Sequence, residues 1–220
     1  MKKRLIIASL LVFTTIYSQA QIFNTVGVKS GVSVANQDWN YKSNFKGLES
    51  EFRTGLYIGI TTEILKAKYF SLIADLGYIQ KGMQFDVELT SESNPDGTGE
   101  MKTIDNRYDF ISFQPVAKFR LPAKHIEPYL FAGPRTDFYV GFSTNDEFGI
   151  ELDDVPPVTF GASYGIGLDY TFSDVIITLE AQHQPDFTYL YNTKPSPQNG
   201  GLSIQNQAFL ITLGVKYVLN

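Results

Sequence analysis

Between residues 158 and 172 the chain alternates. Phe160, Ala162, Tyr164, Ile166, Leu168, Tyr170 and Phe172 fall on one face of an extended strand, and Gly161, Ser163, Gly165, Gly167, Asp169 and Thr171 on the other. A period of two belongs to a β-strand and is incompatible with a helix, whose faces repeat every 3.6 residues. The same pattern sets Ile111, Phe113, Pro115, Ala117 and Phe119 against Ser112, Gln114, Val116, Lys118 and Arg120, and it places Phe209, Ile211, Leu213, Val215, Tyr217 and Leu219 on one side of the last segment. Eight strands are predicted: 23–35, 51–64, 69–87, 105–121, 127–143, 158–172, 175–190 and 202–219. The second and seventh alternate less strictly. The fifth breaks step at Gly133-Pro134, where a bulge is expected because proline donates no ladder hydrogen bond.

Two closed folds fit such a pattern, and they differ in which face meets the outside. A soluble barrel puts its apolar face inside, whereas a membrane barrel puts it against lipid. Three features favour lipid. The polar face is rich in Gly and Ser, which suits a crowded lumen. The strands exceed the ~9–11 residues that cross a bilayer at a tilt. Aromatics gather near the strand ends: Tyr69, Phe70, Phe119, Tyr129, Phe172 and Tyr217 at one level, and Phe52, Phe85, Phe110, Phe142 and Phe187 at the other, as in interfacial girdles. The connections also alternate in length. Segments 36–50, 88–104, 144–157 and 191–201 are long and polar, whereas 65–68, 122–126 and 173–174 are short. The expected fold is all-β: an eight-stranded antiparallel up-and-down transmembrane β-barrel with four long extracellular loops and three short periplasmic turns, both termini lying on the periplasmic side.

The N-terminus agrees. Lys2, Lys3 and Arg4 precede an apolar run from Leu5 to Ile16, and Ser18-Gln19-Ala20 places small residues at −3 and −1 of a cleavage site. Residues 1–20 are therefore expected to be a cleaved secretory signal peptide, leaving 21–220 as a single barrel domain. No cysteine follows the cut, which excludes a lipoprotein anchor and disulfides. No later apolar run reaches the ~18 residues of a spanning helix. The formal charge of −5 becomes more acidic once the three cations are removed, which argues against nucleic acid as a partner. No separate periplasmic module is expected after the last strand.

The polar face carries Lys29, Arg53, Glu63, Asp75, Lys81, Lys118, Arg120, Asp169, Glu180 and Lys216. An eight-stranded barrel is only wide enough for side chains to fill it, so these mixed charges read as a structural plug of ion pairs; the sharper reading is a narrow ion path. Arg135 and Asp137 fall in the fifth-strand irregularity, where they either pair across the wall or reach the lumen through a bulge. Catalysis has little to work with. Of the two histidines, His125 falls in a short turn and His183 on the lipid-facing parity of strand seven, with Ser203 on the neighbouring strand. Nucleophile, base and orienting group cannot all be named, so no enzyme is expected. Asp146, Glu147, Glu151, Asp153 and Asp154 crowd one loop, and Asp96 and Glu100 another, but their spacing is not that of a calcium loop; a solvated acidic surface is the expectation, with no cofactor or metal.

Four stretches resemble the PorT-like outer-membrane β-barrel family common in Bacteroidetes: residues 26–31 (VGVKSG), 76–82 (LGYIQKG), 113–119 (FQPVAKF) and 128–134 (PYLFAGP). The C-terminal LGVKYVLN resembles the strand by which outer-membrane insertion machinery recognises its clients, although it ends in Asn220 rather than an aromatic residue. The resemblance implies the fold and an outer-membrane location. The founding member is tied to type IX secretion, but the family brings no catalytic residues. The expected partners are outer-membrane lipid, the insertion machinery and an envelope complex. The functions weighed are, in order, a structural or interaction barrel, a narrow ion or small-solute channel, and a lipid hydrolase resting on His183 and Ser203.

Overall fold

The computed structural model describes residues 23–41, 50–90, 97–152, 154–193 and 201–219. The signal-peptide segment, Asp96, Asp153 and Asn220 lie outside them. Eight long strands are present: β1 (Phe23–Tyr41), β2 (Arg53–Ile64), β3 (Phe70–Glu88), β4 (Met101–Arg120), β5 (Ile126–Thr144), β6 (Val158–Phe172), β7 (Val175–Pro185) and β9 (Leu202–Val218); β8 (Tyr191–Asn192) is a short strand that pairs with β9 alone. Each long strand pairs antiparallel with the next, and β1 pairs with β9 from Thr25↔Val218 to Tyr41↔Leu202, closing the ring. Closure leaves no open sheet edge in the lower wall, so its strands satisfy one another's backbone groups without water.

The alternation places its apolar side outward. On β9, Phe209, Ile211, Leu213, Val215 and Tyr217 are all exposed, with Ile211 at 61%, while Leu210, Thr212 and Lys216 are buried. On β4 the exposed row is Ile111, Phe113 and Phe119, and the buried row is Ser112, Gln114, Val116, Lys118 and Arg120. The short turns lie at one end. Leu65 and Ser173 take φ of 52° and 54° there, the left-handed conformation that lets a chain reverse within a few residues.

Several strands run further than the alternation suggested. β1 continues to Tyr41, and β3 and β4 stay paired to Glu88↔Met101. β7 instead stops at Pro185, so only Asp186 of the segment beyond it forms a further single bridge, to Gly161. No bulge occurs at Gly133-Pro134. The β4–β5 register is the same at Phe113↔Thr136 and at Ala117↔Ala132, which sets Pro115 opposite Pro134. Neither has an N–H, so the ladder is interrupted while the register survives. The shift lies higher, between Asp109 and Phe110, where Val140 is the extra residue on β5.

In the upper half of the long strands the sense of the pattern reverses. Above Tyr78 the outward positions of β3 become Gln80, Gln84, Asp86 and Glu88, and the inward ones Ile79, Met83, Phe85 and Val87. Above Ile111 the outward positions of β4 become Asp109, Arg107 and Asp105, with Phe110, Tyr108 and Ile104 inside. Above Val34 on β1 come Asn36, Asp38 and Asn40 outside and Trp39 inside; above Phe209 on β9 come Gln207 and Gln205 outside and Ile204 inside. On β1, β3, β4 and β9 the lower part is thus apolar outside and polar inside, and the upper part is the opposite, whereas Val140 of β5 and Phe160 of β6 stay exposed. The two rows of aromatics separate accordingly. Phe85, Phe110, Phe142 and Tyr129 are not girdle residues, because all four point into the barrel. Tyr69, Phe70, Phe119, Phe172 and Tyr217 below, and Phe52 and Phe187 above, stay exposed.

Candidate functional site in the barrel interior

All ten charged residues of the polar face are buried, and nine of them lie in paired clusters inside the ring. Three further charges join them: Arg135, Asp137 and Asp186. They form layers. Nearest the short turns, Lys118 Nζ donates to Asp169 Oδ2 at 2.5 Å and to Glu63 Oε2 at 3.4 Å. Lys216 Nζ reaches both Asp169 oxygens at 3.0 Å, and Arg120 pairs with Glu63 while donating to Ser71 Oγ at 2.5 Å. Arg120 also lies 3.6 Å from Glu127 at the rim. One layer higher, Lys29 Nζ donates to Asp75 Oδ2 at 2.6 Å and Glu180 Oε2 at 2.7 Å, and the Tyr129 hydroxyl donates to Glu180 Oε1 at 2.6 Å. A third cluster sits at the level where the polarity reverses. Lys81 Nζ bonds Asp137 Oδ2 at 2.6 Å and Asp186 Oδ1 at 3.1 Å; Arg135 spans the same two carboxylates and donates to the Ala162 carbonyl at 2.9 Å. Arg53, the tenth, is not part of these layers; it pairs at 2.6 Å with Asp105, which β4 turns outward.

The charge balance explains how a lumen holds so many ions. Every one of these buried cations touches a carboxylate, and every carboxylate among them touches a cation. Burying a lone ion costs several kcal/mol even after relaxation, so matched clusters are the form in which charge persists in so narrow a space. Aromatic rings pack among the ions. Tyr129 lies over Gly167, and Tyr57 over Gly77, where any side chain would collide with the ring. The Lys118 ammonium sits 4.0 Å from the centre of the Tyr129 ring.

Above the third cluster the interior holds an apolar core, beside which Asn106 is buried and Gln37 Nε2 donates to Asn206 Oδ1 at 3.1 Å. Tyr57, Ile79, Tyr108, Phe110, Ile204 and Leu210 pack together with Leu152 and Leu190, which enter from the β5–β6 and β7–β9 connections. Met83, Phe85 and Ile104 form a second group beside Trp39 and Ile150. Two connections therefore each contribute a leucine to the core at the mouth. Outside this core, Lys102 pairs with Asp146; that ammonium and the Phe148 N–H hold the Asp146 carboxyl below the usual carboxylate range. Among the described residues no group of His, Cys, Asp and Glu is arranged to hold a metal ion.

Asp186 was legible by parity: β7 turns its even residues inward up to Gln184, and the next inward position is Asp186. Arg135 and Asp137 reach the lumen without a bulge, on the same parity as Tyr129 and Phe131. His183 and Ser203 are not brought together. His183 pairs with Phe209, and Ser203 lies six positions further along β9, roughly 20 Å of strand at ~3.4 Å per residue. Ser203 is paired instead with Asn40 and Asn192.

Residues 18–191 match the model of the outer membrane protein beta-barrel domain family. No curated protein matches the chain. Among solved structures, OprG from Pseudomonas aeruginosa superposes with a TM-score of 0.58 at 10% identity, over 90% of this chain and 97% of that one. OmpW of Escherichia coli gives 0.47 at 12% identity, over 90% and 98%. Ail of Yersinia pestis, in complex with the heparin analogue sucrose octasulfate, gives 0.41 at 12% identity, over 88% and 99%. At such identities the OprG likeness speaks for the fold alone. The family match spans most of the chain, the ring is closed, and its lower exterior is apolar; the protein belongs to the outer membrane beta-barrel domain family and is integral to the bacterial outer membrane.

Proposed function

We propose that this barrel is a closed interaction module: a membrane anchor that presents a rigid extracellular head to other envelope components, without catalysis of its own. The observation that carries this reading is the pairing and packing of the interior side chains. Ion-pair clusters lie in the lower lumen, and an apolar core that includes Leu152 and Leu190 lies in the upper one. A path for solute would have to cross both. What remains available for function is the outer surface of the head, where loops stand on a rigid scaffold. The separation of His183 from Ser203 supports the absence of hydrolase chemistry.

The finer reading is membership of the PorT-like group, with work as an accessory subunit of an envelope or secretion complex. It rests on the four sequence stretches alone. Photo-crosslinking in intact cells tests it. A crosslinker replacing Asp38 or Met101, both exposed on the head, is expected to give discrete protein adducts, and one replacing Leu179 in the apolar band only lipid. Adducts from none of the head positions would sink the interaction reading. Planar-bilayer recordings are expected to show no unitary steps, and reproducible conductance would favour the channel instead.

A further inference from the structure

Outside the lumen the described cations fall into two groups. On the head, Arg53, Lys102 and Arg107 are each paired with a carboxylate, of Asp105, Asp146 and Asp109 respectively. On the short turns, Lys66, Lys68 and Lys124 are exposed. Their end of the barrel has its own ion pairs, Arg120 with Glu63 and with Glu127, and these use none of the three lysines. Every other described cation lies in the lumen and is paired there. The cations that have no carboxylate partner among the described residues are thus gathered at the periplasmic end.

They also share one corner of that end. Lys66 and Lys68 belong to the turn between β2 and β3, and Lys124 to the connection between β4 and β5. β3 and β4 are neighbours, with Phe70 opposite Phe119, and the Arg120 N–H donates to the Tyr69 carbonyl at 2.9 Å, so the two turns lie side by side. The Lys68 ammonium stands 5.1 Å from the centre of the Tyr69 ring. Around the lysines Leu65, Tyr69, Phe70, Phe119 and Leu121 are exposed, which sets the corner at the lower margin of the apolar band. The third short turn, between β6 and β7, carries Asp174 instead.

We propose that the corner formed by Lys66, Lys68 and Lys124 is a docking surface for anionic phospholipid of the inner leaflet. The surface is continuous with the apolar band that contacts the acyl chains, so the headgroups of the same lipids lie at the level of the lysines. A lysine at such a margin lays its aliphatic stem on apolar surface and extends its ammonium to the phosphates. A zwitterionic headgroup brings its own cation to that level, whereas an anionic one brings net negative charge, and the three ammonium groups favour the second. Selection rests on charge, and it is confined to the side of the barrel that carries the β2–β3 and β4–β5 turns.

The test is fluorescence quenching of the full protein in phosphatidylcholine vesicles that contain either brominated phosphatidylglycerol or brominated phosphatidylcholine. In a Trp39→Phe background a single tryptophan reports from the lysine corner as Phe70→Trp or from the β6–β7 turn as Phe172→Trp, and heat-modifiable gel mobility checks that each variant is folded. If Trp39→Phe does not fold, Trp39 is kept and the signal of the parent protein is subtracted. One lysine at a membrane surface favours an anionic lipid by about fivefold, so phosphatidylglycerol is expected to bind beside Phe70→Trp at least that much more tightly than phosphatidylcholine, and beside Phe172→Trp no more tightly. Combining Lys66→Gln, Lys68→Gln and Lys124→Gln is expected to abolish the preference, and the three arginine replacements to keep it. The preference should also fade toward about 1 M salt, where the screening length is ~3 Å. Equal quenching by the two lipids at Phe70→Trp overturns the proposal, as does a preference that survives the glutamine replacements or is the same at Phe172→Trp.

Discussion

The lower and upper halves of this barrel are built from the same strands with opposite chemistry. Below Ile111, Tyr78, Val34 and Phe209 the wall is greasy outside and ionic inside; above them it is charged outside and aromatic inside. Each half follows the rule of its own solvent. Lipid accepts apolar side chains and leaves polar ones to the lumen, whereas water accepts polar side chains and leaves apolar ones to the core. Strands of 19 and 20 residues, against the ~9–11 that cross a bilayer, are long enough to obey both. The level at which the pattern flips marks the membrane surface, and the cluster of Lys81, Arg135, Asp137 and Asp186 sits at that level.

The sharpest way to break the comparison is to remove one ion from the lower half. Lys29→Met removes the ammonium that pairs with both Asp75 and Glu180, and breaking a buried pair from one side costs about 3–5 kcal/mol. Urea unfolding in lipid vesicles should show that loss as destabilisation of the whole barrel. A change below 1 kcal/mol would mean that the lower lumen is hydrated rather than filled. The counterpart above is Leu152→Ala, which removes a side chain that the β5–β6 connection inserts into the apolar core. It should cost about 2–5 kcal/mol locally. Protease cleavage of the head should rise while the membrane-inserted part stays resistant. If both parts loosen together, the halves form one cooperative unit.

The boundary itself is open to test with one substitution moved along one strand. Leu213→Arg lies in the lower exterior and should destabilise by about 2–4 kcal/mol, the cost of a cation near the bilayer centre. Gln205→Arg, on the same face of β9 but above the flip, should stay within about 0.5 kcal/mol, as surface changes do. Equal costs at the two positions would remove the membrane boundary drawn here.

The same reversal explains what could be read from the sequence and what could not. Strand number, ring order and nine of the ten predicted lumen charges follow from parity, because a period of two assigns every residue to a face wherever the register is unbroken. Parity also places Phe110 with Ser112 and Lys118, yet an aromatic near a strand end looks alike whether it serves a girdle or a core. The distinction depends on where the bilayer ends, and only the register between neighbouring strands supplies that. Asp186 follows a proline that ends β7, and Arg135 sits beside one that suggests a bulge. At Pro134 the local signal of proline suggested a break in a register that the neighbouring strands maintain, whereas Asp186 keeps the parity of β7 past Pro185. The apolar head depends on Leu152 and Leu190, which come from loops whose polar surroundings hide them.

A smaller effect separates the two charge environments. Tyr129→Phe removes the hydroxyl that donates to Glu180 at 2.6 Å deep in the lower lumen, at a cost of about 1–3 kcal/mol. At the head, Asp146 is paired with Lys102 in contact with water, where screening reduces what such a pair contributes. Its folded carboxyl titrates below the ordinary range, first because of the Lys102 bond and then because of the Phe148 N–H. The sign follows from linkage. A carboxyl depressed on folding contributes stability that is complete above its unfolded value and is lost as pH falls through the lower, folded one. The turn around Asp146 should therefore keep its hydrogen-exchange protection from neutral pH down past the ordinary carboxylate range, and lose it only in stronger acid. Asp146→Asn should remove that acid step while leaving the Tyr129→Phe effect unchanged, because the two sites share no partner. A turn that loosens already at mildly acidic pH would place the Asp146 carboxyl in the ordinary range and deprive the head of this anchored contact.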